Sequence, residues 1–443
     1  MTRFPPMLST VATAARGRSV ARRGARRAIG PDRRSRPFAL GLLALTALTT
    51  VACDIDRLLR IETPSRVAEE RLLVPENASL IASSAVADFE CALGTYIVAS
   101  GLAAGEFVEG TQTASRWAYD RRNVLQTDAH YATFDCVNLG VYTPINTARY
   151  TNDQAARALS GWTDQQVTNR QRLIATTSAL AGYSALLLGE GFCSGAINVG
   201  PELTSAQLFD SAEVRLTAAI TTAQAANDQA ALNLARVGRA RARRDKGDVA
   251  GAGADAAAVP VDFVYNATAS TNAGRRNNRI AAQNGTAVTV APAYRSMTVA
   301  GQPDPRVRAT DAGRNSSDQV NRLWVQQKYA SVTAPTPIAT GIEAQLILAE
   351  ARGAGEGVLI LDQLRARVGL PPLTATEAAD FANTLVEERN RWLWLQGNRW
   401  YDVRLRNLPL VPAPGTAYSK GGTYGDQRCW PLPDVERLSN PNL

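Results

Sequence analysis

The sequence predicts an all-α-dominated fold of paired helices, with one large irregular, loop-rich segment and little β-structure. Two observations carry that prediction. Over 165–260, apolar residues return at helical spacing with Ala and Gly between them, as in helices that bury one face against a neighbour. Over 261–335 this periodicity stops, and Asn, Gly, Thr, Ser, Arg and Pro dominate, the composition of turns and loops.

Residues 1–52 read as an export leader. Arg22, Arg23, Arg26, Arg27, Arg33, Arg34 and Arg36 precede an uncharged run of 15 residues, Phe38 to Ala52, that ends in small residues before Cys53. A positive region, an apolar region and a small-residue junction make a secretory signal. The run is shorter than the about 20 residues a membrane span needs. A cysteine at the junction is the mark of a bacterial lipoprotein signal, so Cys53 is the expected lipid anchor and 53–66 a lipidated tether. Thr50 stands where the usual lipobox has Leu. An ordinary cleaved secretory peptide and an uncleaved anchor are the alternatives. Past Cys53 no run is read as membrane-spanning, and 67–443 is expected to form a single domain.

The leader also accounts for the net charge. The chain has 48 basic and 40 acidic residues, formally +8. The leader holds ten arginines and one acid, Asp32, which leaves 38 basic and 39 acidic residues, formally −1. A basic nucleic-acid binder is therefore not expected.

Helices are expected over 76–103 and 117–149, then over 165–191, where Leu173, Ile174, Leu180, Tyr183, Leu186 and Leu187 share a face. A helix over 203–224 follows, with Thr204 or Ser205 as N-cap. The next starts near Gln229, breaks at Lys246-Gly247-Asp248, and resumes until Pro260. Small residues at 231, 235, 240, 250 and 254 permit close helix approach. Within 261–335, AVTVAPAY (287–294) alternates as a strand does. From Ile342 two helices are separated near Gly353, and a last long one follows a capping box, Thr374 to Glu377. The Pro/Gly-rich tail, 408–443, is expected to run extended over the body.

Catalytic constellations are scarce. The chain has one histidine, His130, and no HExxH, paired CxxC, GxSxG or phosphate-binding loop. No enzyme activity, cofactor or metal is expected. Beyond Cys53 four cysteines remain, Cys91, Cys136, Cys193 and Cys429, which allow three pairings. In an exported protein disulfides are expected, with Cys91–Cys136 and Cys193–Cys429 preferred; buried free thiols are the alternative.

The paired Ala-rich helices of 165–260 resemble tetratricopeptide repeats. Three later segments resemble the RagB/SusD family of bacterial surface nutrient-binding lipoproteins. Glu343-Ala-Gln-Leu-Ile-Leu-Ala-Glu-Ala351 is similar to that family's ExxLIxAEA helix. Glu387 to Arg404, EERNRWLWLQGNRWYDVR, is similar to its ERxxELxxEGxRWxDLxR segment, with Gln396 where the family usually has Glu. Trp430-Pro-Leu-Pro-Asp-Val-Glu436 and Asn440-Pro441 are similar to its PIPxxE and NP tail. The resemblance implies a SusD-like fold, with 336–443 as the family's C-terminal block. Arg389, Trp392, Arg399, Trp400, Asp402 and Arg404 would there lock the last helix onto the repeat-like helices. It implies an outer-membrane protein facing the cell exterior, which captures an oligosaccharide or peptide and delivers it to a TonB-dependent, SusC-like transporter. The rival readings are a helical-repeat protein-binding adaptor of the cell envelope and a glycosidase.

Sugar sites use exposed aromatic rings flanked by hydrogen-bonding polar groups. Arg116, Trp117, Tyr119 and Asn123, after the polar loop 109–115, fit that chemistry and resemble the aromatic-x-aromatic plus Asn pattern of starch-binding members. The competing reading is a helix start with Trp117 packed inward. Tyr294, Trp324 and Tyr329 are secondary candidates.

One measurement checks the cysteine reading. Alkylation of the unreduced, denatured protein is expected to leave Cys91, Cys136, Cys193 and Cys429 unlabelled; a mass shift at any of them removes its disulfide.

Overall fold

The computed structural model describes residues 69–128, 133, 136, 139–272 and 276–443. The leader, Cys53, the tether and His130 lie outside the described residues. The described residues fall in one compact unit.

Helix α1, Ala78–Ala103, is apolar nearly all round, and from Cys91 onward every residue is buried. A helix with no polar face belongs inside a protein. After the short α2, Trp117–Arg121, come α3, Tyr142–Ser160, and α4, Arg170–Gly191. Then follow α5, Ser205–Ala225, α6, Gln229–Asp245, and α7, Val249–Ala257. Successive long helices pack side by side, α1 on α3, α3 on α4, α4 on α5, and onward to α7. Two segments have the length and apolarity of a membrane span, contrary to the sequence reading: Pro75–Ala103 and Arg170–Gly191. Their burial inside the protein, 61% and 83% of the apolar window, makes them core helices.

Local chemistry sets the ends. Thr204 and Gln207 form a capping box at α5. Asp228 accepts from Ala230 and Ala231 N–H at 3.1 Å to start α6. Gly247, at φ 90, turns the chain into α7, where Asp248 accepts from Gly251 N–H. At the α4–α5–α6 crossing, a Cβ on Gly182 would stand 2.6 Å from Leu216, and one on Gly238 would stand 2.8 Å from Leu216 and Tyr183. Ala231, Ala235 and Ala240 are buried as expected, but Ala250 and Ala254 face solvent; Ala252, Gly253 and Ala256 make the inner face of α7.

Three expected helices are shorter than the sequence suggested. The stretch 117–149 breaks after Arg121 because Arg122 is left-handed, at φ 51, and among the described residues the next helix starts at Tyr142. Asn169, at φ 58, delays α4 to Arg170. The last long helix divides into a turn at Ala375–Ala379, then α10, Phe381–Trp392, and α11, Arg399–Leu405. Leu395 at φ 54 and Gly397 at φ 88 force the second break, and the intervening Trp394 and Leu395 are fully buried.

The irregular segment holds α8, Arg279–Asn284, and contributes to four of the short antiparallel pairs among the described residues, the fifth pair lying between α4 and α5. Strand β1, Phe107–Glu109, pairs with β5, Val288–Val290. The others are β2, Ser194–Ala196, with β3, Glu202–Thr204; β4, Val264–Ala267, with β10, Thr336–Thr340; β6, Thr298–Val299, with β7, Gln302–Pro303; and β8, Ala309–Asn315, with β9, Arg322–Gln326. The chain then enters α9, Gly341–Ala366, which is interrupted by Gly353 at φ 68.

Buried charges join the C-terminal helices to the repeats. Asp402 on α11 receives Arg244 of α6 at 2.7 Å and Arg389 of α10 at 3.1 Å. Arg244 also meets Glu350 of α9 at 2.8 Å, and Arg241 grips Glu190 of α4 at 2.5 and 2.6 Å. Trp400 stacks on Trp430, their centroids 5.9 Å apart. Cys193 is bonded to Cys429 and Cys91 to Cys136, with Cα separations of 5.0 and 5.8 Å, inside the usual disulfide range.

Burial alone would raise the Asp402 carboxyl, but Arg244 and Arg389 reverse that and hold it well below the usual carboxylate range. Its stabilising charge is therefore complete above the unfolded value of about 3.9, and is lost as pH falls through the lower folded value. Asp402→Asn leaves two buried guanidiniums short of a counter-charge and is expected to cost about 3–5 kcal/mol at neutral pH in denaturant unfolding. A loss below about 1 kcal/mol would remove this residue from the framework.

Candidate functional site

The strongest candidate platform is built on the polar loop after β1. Glu109 pairs with Val288 in the ladder, and its buried carboxylate organises the loop. It accepts from Thr111 Oγ1 at 2.7 Å and from Arg116 Nε at 3.2 Å. Arg116 also donates to Gln283 Oε1 at 2.9 Å. The loop is thereby folded back, and Trp117 Nε1 donates to Thr111 O at 3.0 Å. The indole is half-buried and leans on Tyr418, at 6.2 Å and 56°.

The tail completes the platform. Asp120 accepts from Glu109 N–H at 2.9 Å and from Tyr418 O–H at 3.1 Å. Lys420 lies 3.1 Å from Asp318, whose backbone O accepts from Gln112 Nε2 at 2.8 Å. Arg122 donates to Gly425 O at 3.1 Å and to Pro412 O, and lies over the Tyr424 ring at 5.0 Å. Gln112, Thr113 and Asn123 are exposed. The arrangement offers one ring face with amide and hydroxyl groups beside it, on a base fixed by buried charge. It holds no nucleophile–base pair, and among the described residues no cluster of His, Cys, Asp or Glu could hold a metal.

The seven candidate residues separate. Trp117 and Asn123 reach this surface. Arg116 is buried in its ion pair with Glu109 and supports the loop from beneath. Tyr119 does not present a ring to a ligand: it is 1% exposed, donates to Leu139 O and meets Trp430 edge-on at 5.4 Å. Its burial follows from helix geometry, because residues two apart on a helix point about 200° away from each other. Tyr294 is also buried, stacked on Trp394 at 6.1 Å and bonded to Asn390, and Tyr329 is buried with its hydroxyl on Leu395 O. Trp324 on β9 is half-buried against the main core, with the Arg295 guanidinium 5.7 Å from its ring centroid. Among the described residues no ring contact joins it to Trp117. Tyr418, Lys420 and Gln112 escaped sequence reading. The hint for Gln112 was its place in the polar loop 109–115, and for the other two it was aromatic residues in a Gly-rich tail, since nothing local shows that the tail returns to residue 117.

Several solved structures share this architecture. A SusD superfamily protein from Bacteroides vulgatus superposes with a TM-score of 0.63 at 14% identity, covering 83% of this chain and 97% of the other. A laminarin-binding SusD-like protein gives 0.61 at 15% identity, covering 82% and 97%. Surface glycan-binding protein A from Bacteroides thetaiotaomicron, in complex with laminarihexaose, gives 0.62 at 14%, covering 83% and 98%. No family model and no curated protein matches the sequence. The chain has the fold of the SusD superfamily, all-α-dominated as expected.

Burial pushes the Asp120 carboxyl up to about 7. The folded protein then keeps a proton that the unfolded chain gives up above about pH 4, so this residue lowers stability as pH rises from about 4 to about 7. Thermal midpoints compared at pH 5 and pH 8 are expected to fall more for the wild type than for Asp120→Asn. Parallel profiles would show that Asp120 is already ionised at pH 5.

Proposed function

We propose that this protein is a non-enzymatic carbohydrate-capture lipoprotein, anchored through Cys53 in the outer membrane and facing the cell exterior. It takes an oligosaccharide on the Trp117 platform and delivers it to a TonB-dependent, SusC-like transporter. The observation that carries this reading is Trp117 itself, a half-buried indole held by its N–H to Thr111 O beside exposed Gln112, Thr113 and Asn123. A ring fixed this way stacks on the C–H face of a pyranose without losing side-chain entropy on binding. The SusD fold and the names of glycan-binding neighbours support sugar as the cargo over peptide. The lipobox-like leader supports the anchor, and the family motifs after residue 340 support the transporter partner.

Laminarin in affinity electrophoresis is the first probe, followed by a panel of other glycans. Trp117→Ala is expected to weaken the recognised glycan at least tenfold, about 1.4 kcal/mol, with the melting temperature within about 4 °C of wild type. A cooperative loss of folding would return Trp117 to the core, and unchanged binding would move the site elsewhere. Gentle solubilisation from native membranes is expected to co-purify a large transporter barrel in near-equal amount; its absence removes the delivery step.

A further inference from the structure

A second polar cavity is walled by one face of α3. Thr143, Asn146, Thr147 and Tyr150 recur at i, i+3, i+4 and i+7 and line one side of it. Asn198, in the loop after β2, and Glu436 of the tail form the other side, and the cavity measures about 250 Å³. Both sides are fastened to that loop. Asn146 Nδ2 donates to Ala196 O at 3.1 Å, and Asn440 Nδ2 of the tail donates to Gly200 O at 2.8 Å. The cavity shares no residue with the Trp117 platform. A series of buried ring contacts stands between them: Tyr119 on Trp430, Trp430 on Phe192 and Phe192 on Tyr142, at 5.4, 5.3 and 5.0 Å.

The polar groups here face an accessible surface. Tyr150 is 46% exposed, and its hydroxyl accepts from Gln154 Nε2 at 2.7 Å, which restrains the ring. Arg149 is the only cation in the lining, and each of its nitrogens is already committed. Nε donates to Asn146 Oδ1 at 3.0 Å, Nη1 to Asp153 at 2.8 Å and Nη2 to Asn198 Oδ1 at 3.0 Å. A guanidinium only donates, so the last contact turns Asn198 with Oδ1 inward and leaves Nδ2 as a donor. Asn198 is exposed and left-handed, at φ 56, a conformation Asn tolerates better than most residues. Among the described residues its Nδ2 has no partner. Thr147 adds a hydroxyl, and Glu436, which Tyr142 and Asn440 hydrogen-bond, adds acceptor oxygens. A restrained ring beside an amide donor, a hydroxyl and an acceptor, with no uncommitted cation, suits an uncharged polyhydroxy ligand.

We propose that this face of α3 is a second sugar-binding site, in which a pyranose stacks on Tyr150, accepts from Asn198 Nδ2 and donates to Glu436. The inference takes its ligand class from the carbohydrate reading above and does not depend on Trp117. A long glycan that spans both sites is held more tightly than either site alone would hold it.

The test is a set of saturation-transfer NMR titrations on the full chain with four probes: maltose, cellobiose, laminaribiose and mannobiose. Trp117→Ala serves as the background, because it removes the first platform. At least one probe is expected to bind this variant with a Kd of about 1–10 mM. Adding Tyr150→Ala is expected to weaken that binding at least about fivefold, the scale of one ring contact, whereas Tyr150→Phe keeps the ring and retains it. Asn198→Asp keeps the acceptor for Arg149 but loses the donor, and is expected to weaken binding too. Tyr150 is exposed, so its variants are expected to melt with the parent. No binding of any probe to Trp117→Ala overturns the proposal. Binding unchanged by Tyr150→Ala, or a loss on Tyr150→Phe as large as on Tyr150→Ala, also overturns it. In the otherwise wild-type chain, a loss on Tyr150→Ala with none on Trp117→Ala would strike the first platform and keep this site; the reverse would strike this site and keep the first.

Discussion

The fold depends on the charge cluster around Asp402. This carboxylate is the point where α6, α10 and α11 meet, through Arg244 and Arg389, and Glu350 brings α9 to the same Arg244. Helices of the repeat half bury small and aliphatic residues, which pack but do not fix one register over another. The ion pairs do fix it, because each guanidinium fork satisfies a carboxylate in only a narrow range of positions. Their net stabilisation is modest once desolvation is included, and their larger effect is to disfavour shifted arrangements of the same helices.

With α11 locked, the tail has a surface to follow. Trp430 inserts among Tyr96, Tyr119, Phe192 and Trp400, its backbone joins Gly191 and Cys193, and the adjacent Cys429 is bonded to Cys193. The preceding stretch then returns along α2, where Gly425 N–H donates to Arg121 O at 2.6 Å. Tyr418 and Lys420 arrive beside Trp117 only because of that route. The Trp117 platform thus depends on contacts more than 290 residues apart in sequence, such as Tyr418 to Asp120.

This separation explains what was legible in the sequence. The repeat helices were readable because their signals are local: period, a cap at Thr204, and a turn at Gly247. The C-terminal motifs pointed to the fold because their Arg and Asp residues are framework parts. The platform was half readable. Trp117 and Asn123 follow a polar loop of the right composition, but Tyr119 and Tyr294 have the same aromatic character and different surroundings. An aromatic residue looks alike in sequence whether its ring meets a ligand or Trp430. Only the direction of a five-residue helix, α2, and the left-handed Arg122 that ends it decide between them, and neither follows from composition. Leu395 was unreadable for a related reason, since a branched side chain at positive φ contradicts its own propensity.

The same framework commits several arginines to structural charge. Arg241, Arg244, Arg389 and Arg306 each close on carboxylates inside the protein, at 2.5 to 3.1 Å. Such groups cannot serve a ligand without breaking the fold, and a buried arginine deprived of its partner destabilises its surroundings. The break at Leu395 and Gly397 places Asp402 within reach of Arg244 and Arg389. Had α10 run on unbroken into α11, the residues from 393 onward would have continued its face pattern. The left-handed turn instead seats Asp402 between its two arginines.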